Sequence, residues 1–519
     1  MNSVAGTGVL VRLGSRRDRI MLPAWFYVLV ALTLATQYSF KSLYPTVQGR
    51  EAFGATLAAN PTLQALVGPL YSASTVGGLT AWRIGSLGGT LLALMNIIVV
   101  VRHTRQEEEA GRLELIGSGV VGRYAPLTAG LVVALAADLV IGLVIGAGLL
   151  LFGEAAGDSF ALGLSLAAVG AVFAGIAAVT AQLAETSRAA IGLAAVVLGA
   201  VFLLRAIGDS AGRLSWLAWL SPIAWGERVR AFAGVRVWVF ALPVVATAVF
   251  CVVAFRLVAR RDHGAGLLAS RPGPAVAGND LRGPLGLAWR LNRGVLYGWL
   301  AAYVIVGGVI GAITKDMVSV VGDNEQMRRI IDQLGGASGV SDAFLSAMLG
   351  LFGLLSAVFM IQVVQRLRTE ETAQRVEPVL ATGVGRVRLG IAYVVVAAGG
   401  GAVLMVAYGV LAGLGYGLRG GDVGTQLPRV LAAAAAQVPA AWAVAAVAIA
   451  LFGLVPELTQ VGWAVLVVCL LLGQLGPTLH LPQWALDISP FTHAARLPVA
   501  APAGAAIGWL VGVSAVLAA

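Results

Sequence analysis

Twelve times along this chain an apolar run long enough to cross a bilayer recurs, and that repetition leaves few folds open. A bilayer core demands roughly 20 consecutive apolar residues in a helix. Runs near that length, bounded by charge, glycine or proline, lie at 22–40, 84–101, 125–152, 160–183, 189–207, 237–258, 295–313, 343–364, 389–416, 428–454, 461–479 and 500–518. About a quarter of the residues in a soluble domain are charged; here 12% are, against 59% hydrophobic, with a mean hydropathy of +0.88. The expected fold is an all-α polytopic membrane protein of 12 spans. Lipid offers no hydrophobic drive between helices, so small residues must let them approach, and 67 glycines with only 7% aromatics suit that packing.

The net charge of +10 does not imply nucleic acid, because that reading needs basic residues gathered on one soluble face. Arginine supplies nearly all of the positive charge, the only lysines being Lys41 and Lys315. The basic cluster Arg12, Arg16, Arg17 and Arg19 precedes an apolar run from Leu22 to Phe40 with no A-x-A site after it. That pattern predicts a retained first span and not a cleaved signal peptide. Short basic loops stay cytoplasmic, and the arginine bias places both termini inside, although Arg228, Arg230 and Arg236 then fall outside. Cys251 and Cys469 lie far apart in apolar runs and read as small hydrophobes.

Self-similarity divides the chain. Arg105 to Glu114, continuing to Gly122 and Arg123, matches Arg368 to Glu377, continuing to Gly385 and Arg386, at a constant offset of 263. Trp216, Ser221, Pro222 and Arg228 match Trp484, Ser489, Pro490 and Arg496 at offset 268, and Arg16, Arg19 and Trp25 match Arg290, Arg293 and Trp299 at offset 274. The matches keep their order, which predicts two tandem six-helix halves. The expected organisation is a first half over 1–259, a cytoplasmic linker over 260–284 rich in Gly, Pro and Arg, and a second half over 285–519.

The matched loops carry the densest charge. Thr104 with Glu107 has the spacing of a capping box. Glu107, Glu108 and Glu109 then crowd a first turn, where the helix dipole favours anions, and Gly117 or Gly119 offers a stop. In the second loop Thr369 is a shifted cap, and Pro378 is expected to kink or end the helix. A solvated turn between spans would explain one such loop; two with the same charges point to a shared docking task.

The run Asn60-Pro61, Gly68-Pro69, Gly77 to Arg83, then Arg102 to Arg105 and the acidic loop, resembles actinobacterial ABC type-2 exporter permeases, within them the tetronasin/polyketide-antibiotic (multidrug) exporter group. The resemblance covers essentially the whole chain and is silent on substrate. It implies two tandem ABC type-2 exporter transmembrane domains, each opened by an interfacial elbow helix. It also implies that each charged loop is a coupling helix seated in one of two copies of a separate ATPase, which binds ATP and Mg, in a bacterial plasma membrane. By position, Glu107, Glu108, Glu109, Arg112 and Glu114 would meet one copy, and Glu370, Glu371, Arg375 and Glu377 the other. The cargo it implies is a lipophilic antibiotic or drug.

The energy source is constrained independently. A Walker A loop needs G-x-x-x-x-G-K-[ST], and neither lysine fits, Lys41 following Phe40 and Lys315 following Thr314. ATP hydrolysis must then belong to a partner. The alternative engine, an ion-coupled secondary antiporter, calls for ionisable groups at mid-membrane. The sequence offers Asp138 in the third run, either hydrogen-bonded between helices or lining a path, while its repeat counterpart, Gly401, has no acid. An intramembrane enzyme would need paired carboxylates, a nucleophile with its base or a metal cluster, and His103, His263, His480 and His493 show no ligand spacing. No catalytic, cofactor or metal site is expected on the chain.

A path at the repeat interface is the usual arrangement in repeat-built transporters. Its candidate liners beside Asp138 are Met95, Asn96, Phe202, Phe352, Phe359, Met360, Gln362 and Gln474, soft surfaces suited to apolar ligands, although such residues equally pack helices. Ser221-Pro222 and Ser489-Pro490, beside Trp216, Trp219, Trp225 and Trp484, read either as re-entrant outer gates or as an aromatic belt.

Overall fold

A computed structural model describes residues 3–58, 64–65, 67–113, 119, 121–210, 212–262, 264–268, 276, 278, 281–314, 336–475, 482–494 and 504–518. All regular structure among them is helical, in two compact units, Met1–Pro272 and Gly273–Ala519. Ten helices among the described residues are long and apolar enough to cross a membrane. The eleventh and twelfth runs carry shorter apolar helices, Val461–Leu472 and Ala505–Ala518.

The first unit opens with α1 (Thr7–Arg17), which carries Arg16 and Arg17 in its last turn, and α2 (Met21–Leu43). After α3 (Val47–Ala58) comes α4 (Val76–His103), whose start is fixed by the Thr75 hydroxyl accepting from the Gly78 amide at 3.0 Å. This start lies well before the apolar run at 84. Polar residues there are satisfied inside the unit: Thr80 donates to Gln37 at 2.7 Å, Trp82 to the Gly68 carbonyl at 2.9 Å, and the Gly77 amide to Glu154 at 2.9 Å.

A five-residue α5 (Arg105–Glu109) leads to α6 (Ala125–Leu151), α7 (Ala156–Leu183) and α8 (Ser187–Ser210). Then follow a 3₁₀ turn, the short α9 (Pro222–Arg228), a second 3₁₀ turn over Val237–Phe240 and α10 (Ala241–Arg260). Helix α7 is the hub, packed on α4, α6, α8 and α10. Glycine makes the α6–α7 contact possible: a Cβ on Gly142 would sit 2.6 Å from the Gly163 carbonyl oxygen. Backbones that close exchange van der Waals contact for the missing hydrophobic drive.

In the second unit α11 (Pro284–Thr314) packs on α12 (Gly336–Thr372) and α14 (Arg386–Gly420), with the four-residue α13 (Glu377–Leu380) between the last two. Helix α14 stops at Gly421, whose φ of 75° is the left-handed stop glycine accepts readily. Asp422 then caps α15 (Val423–Leu454) through the Thr425 amide at 3.2 Å. Helix α15 keeps Pro428 and Pro439 inside it, tolerable where neighbouring helices re-satisfy the freed carbonyls. It packs on α12, α14, α16 (Val461–Leu475), the one-turn α18 (Pro490–His493) and α19 (Gly504–Ala518), while α17 (Gln483–Leu486) lies against α16.

Candidate functional site

The first charged loop is a junction, and each acid in α5 holds a different element. Glu108 accepts both terminal nitrogens of Arg261, at 2.6 and 2.7 Å, together with the Gly264 amide at 2.7 Å. A planar guanidinium meets a carboxylate best in this two-pronged way. Arg105, 1% exposed, pairs with Glu108 at 3.2 Å and donates to the carbonyls of Ala181 and Ala265, each at 3.0 Å. Glu109 takes the amide and hydroxyl of Ser187, at 3.0 and 2.6 Å, at the start of α8. Glu107 meets Arg17 of α1 and, at 2.8 Å, Arg112. Beside it, buried Asp18 lies 2.5 Å from His103 and 3.3 Å from Arg102.

The capping-box expectation at this loop is overturned. Thr104 does not cap α5; its hydroxyl donates back to the Val100 carbonyl at 2.6 Å, because α4 runs to His103 and leaves that carbonyl within reach. Helix α5 ends at Glu109, with Gly111 at φ 69° just beyond it. Glu114, Gly117 and the Asn60-Pro61 pair lie outside the described residues.

The second loop is built differently. Helix α12 continues without a break through Arg368, Glu370 and Glu371 to Thr372, and Thr369 donates to the Gln365 carbonyl at 2.9 Å in place of capping. Pro378 neither kinks nor ends a helix; it sits in the first turn of α13, where its missing N–H is harmless. The charges are looser: Arg366–Glu370 at 3.7 Å, Arg368–Glu371 at 3.5 Å and Arg375–Glu370 at 3.4 Å, with Glu371 34% and Arg375 69% exposed. Glu377 is exposed.

Asp138 is buried near the middle of α6, where its Oδ1 accepts from Asn96 of α4 at 2.7 Å. Among the other proposed liners, Met95, Phe359 and Met360 are wholly buried in the packing of their own units. Phe352 stacks on Tyr408 at 4.3 Å, Gln362 accepts from Trp299 at 3.1 Å, and Phe202 carries the Arg205 guanidinium over its ring. Gln474 belongs to α16, its side chain lying outside the described set.

Sequence reading missed a buried charge cluster between α8 and α9. Arg205 pairs with Glu227 at 3.0 Å and donates to the Ala65 carbonyl at 2.6 Å, while Arg228 pairs with Asp209 at 2.9 Å and lies over Trp219. The available signal was Arg205 and Asp209 four apart in an otherwise apolar run. Glu227 stands outside the ten spanning helices, and burial pushes its carboxyl up to about 7 against the pull of Arg205. Ser221 and Ser489 each precede a short helix opened by proline and are buried, while Trp216 and Trp484 are exposed.

Each unit ends its second long apolar segment in an acid-and-arginine loop. Comparison decides the family. The family model of the multidrug efflux system permease Rv1217c, C-terminal domain, matches residues 11–256 and 281–519. The chain belongs to that family. The chain is 42% identical over 514 residues to the multidrug efflux system permease protein Rv1217c of Mycobacterium tuberculosis (strain ATCC 25618 / H37Rv), covering 99% of this chain and 93% of that protein. The two matched segments fall one in each compact unit. The expected kinship with multidrug efflux permeases therefore stands at the level of this family, and the chain is a multi-pass membrane protein of it.

Proposed function

We propose that this permease is the membrane subunit of an ATP-driven ABC exporter, with twelve spans and both termini cytoplasmic in a bacterial plasma membrane. It moves lipophilic antibiotics or drugs outward by docking two copies of a separate ATPase, which binds ATP and Mg. The observation that carries this reading is the pair of charged loops. Each closes the second long apolar segment of its unit, α4 with α5 in one and α12 in the other, with arginines and acids in the same order along the chain. The name of the Mycobacterium tuberculosis relative, permease of a multidrug efflux system, supports the cargo class. The sequence has no G-x-x-x-x-G-K-[ST] loop, so fuel must come from outside the chain.

The clean test is Glu371→Lys, because Glu371 is a third exposed and holds only a long contact to Arg368. The chain is purified with whatever polypeptide accompanies it, and ATP hydrolysis is measured with and without a transported drug. We expect an ATPase in the preparation, and at least a ten-fold loss of drug-stimulated hydrolysis in the variant. An accompanying set of polypeptides without ATPase activity, or unchanged stimulation in the variant, sinks the proposal.

A further inference from the structure

We propose that Asp138 and Asn96 form the head-group site for a protonated amine on a lipophilic molecule, whose apolar body lies in the adjoining groove between α6 and α7. The inference rests on the reading of the chain as a carrier of lipophilic drugs and names a chemical class within that cargo.

The pair is incompletely satisfied. Asn96 spends its amide on Asp138 Oδ1 at 2.7 Å and on the Leu92 carbonyl at 2.9 Å. Asp138 Oδ2 and Asn96 Oδ1 are both buried and have no hydrogen-bond partner among the described residues. Two neighbouring acceptors without donors, one of them on a carboxylate, match an ammonium, which brings three N–H donors and the opposite charge. Intramembrane acids ordinarily find a partner, and among the described residues none is supplied beyond Asn96.

Backbone geometry makes room for the pair. A Cβ at Gly170 of α7 would stand 2.5 Å from Asp138 Oδ1 and 2.8 Å from the Asn96 amide nitrogen. Asp138 also lines a groove of about 500 Å³ whose other walls include Leu135, Leu139, Leu164, Ala171 and Phe240. The groove opens at the surface of the unit, where Leu139 is half exposed. A carboxylate at the end of an apolar trough is the complement of an amphipathic amine.

The second unit supplies an internal control. At the register of the charged loops, Asn96, Asp138 and Gly170 correspond to Phe359, Gly401 and Ala433. There Phe359 lies against Gly400 and Met360 against Gly401, and both side chains are fully buried. None of these three matched positions carries a polar side chain. The second unit thus closes the same register without an acid or an amide.

The test uses the full chain in phosphatidylcholine nanodiscs, with neither ATP nor a second subunit, against empty discs. The probes are N-dansyl-1,8-diaminooctane, cationic at pH 7, and its neutral N-acetyl counterpart. We expect the wild type to bind the amine at least ten-fold more tightly than the amide. Asp138→Asn should abolish that preference while leaving the neutral probe's affinity unchanged. Leu164→Trp, which fills the groove without touching the carboxylate, should weaken both probes and covers the case in which Asp138→Asn does not fold. Equal binding of the two probes by the wild type overturns the site, as does a preference that survives Asp138→Asn or an affinity for both probes that Leu164→Trp leaves unchanged. Since no nucleotide is present, amine binding without ATPase coupling would remove only the earlier reading, and coupling without amine selectivity only this one.

Discussion

Single side chains in the first unit carry consequences out of proportion to their size, because their charges are paired away from water. Glu108 is the sharpest case. Removing one member of a buried pair leaves the other uncompensated and costs about 3–5 kcal/mol, and Arg105 and Arg261 both depend on this carboxylate. Glu108→Gln is therefore expected to lower the thermal midpoint of the purified permease by several degrees, whereas Glu371→Gln, at a surface pair, should leave it unmoved; a thermal-shift series on the two variants checks this. Glu227 adds a pH term whose sign follows from its raised carboxyl. With an ordinary value of 4.5 and a folded value of about 7, the folded protein holds the extra proton between those limits. Its stabilisation is complete below 4.5 and lost as pH rises through about 7. Melting curves from pH 5 to 8 should show a fall in midpoint that Glu227→Gln flattens.

Among the elements, the α6–α7 crossing and the stretch after α10 each carry a prediction. Gly142 leaves no space for a methyl group beside the Gly163 carbonyl, so Gly142→Ala should cost about 1–3 kcal/mol through forced backbone separation, read as reduced heat resistance in detergent. The Leu267 and Leu268 amides donate to the Gln182 and Leu183 carbonyls at 3.3 and 2.8 Å, and Arg123 holds the Val258 and Arg261 carbonyls from the other side. Glu108→Gln should speed hydrogen exchange across 264–268 without affecting α7, since exchange reports local opening. The apolar runs gave away the ten long helices because hydropathy is a property of neighbours in sequence, whereas the eleventh and twelfth runs carry only shorter ones among the described residues. The start of α4 was hidden, since Thr80, Trp82 and Arg83 look unsuited to lipid until Gln37 and the Gly68 carbonyl are placed beside the first two. The loop charges were visible, but not their partners: Arg261 is 153 positions from Glu108, and no local pattern announces such a pair. Thr104 misled because capping and back-bonding to the preceding turn compete for the same hydroxyl.

At the scale of the whole molecule, the two charged loops differ in what they are attached to. The first is clamped to α1, α8 and the stretch after α10, whereas the second ends a continuous α12 with exposed charge. For transport the decisive prediction concerns the engine: drug export from cells should persist under an uncoupler while ATP is held constant, and stop when ATP is depleted with the proton gradient intact. Accumulation assays with a fluorescent drug distinguish the two, and collapse under the uncoupler alone would favour an ion-coupled antiporter. The cluster of Arg205, Asp209, Glu227 and Arg228 bears on how the chain settles in the bilayer. Each arginine is paired with an acid inside one folded patch, and an arginine so paired exerts little pull toward either leaflet. Tallying cations along the polypeptide thus overstates what this stretch presents to headgroups or to the membrane field. Asp209→Asn would unmask Arg228 and add positive charge to that corner.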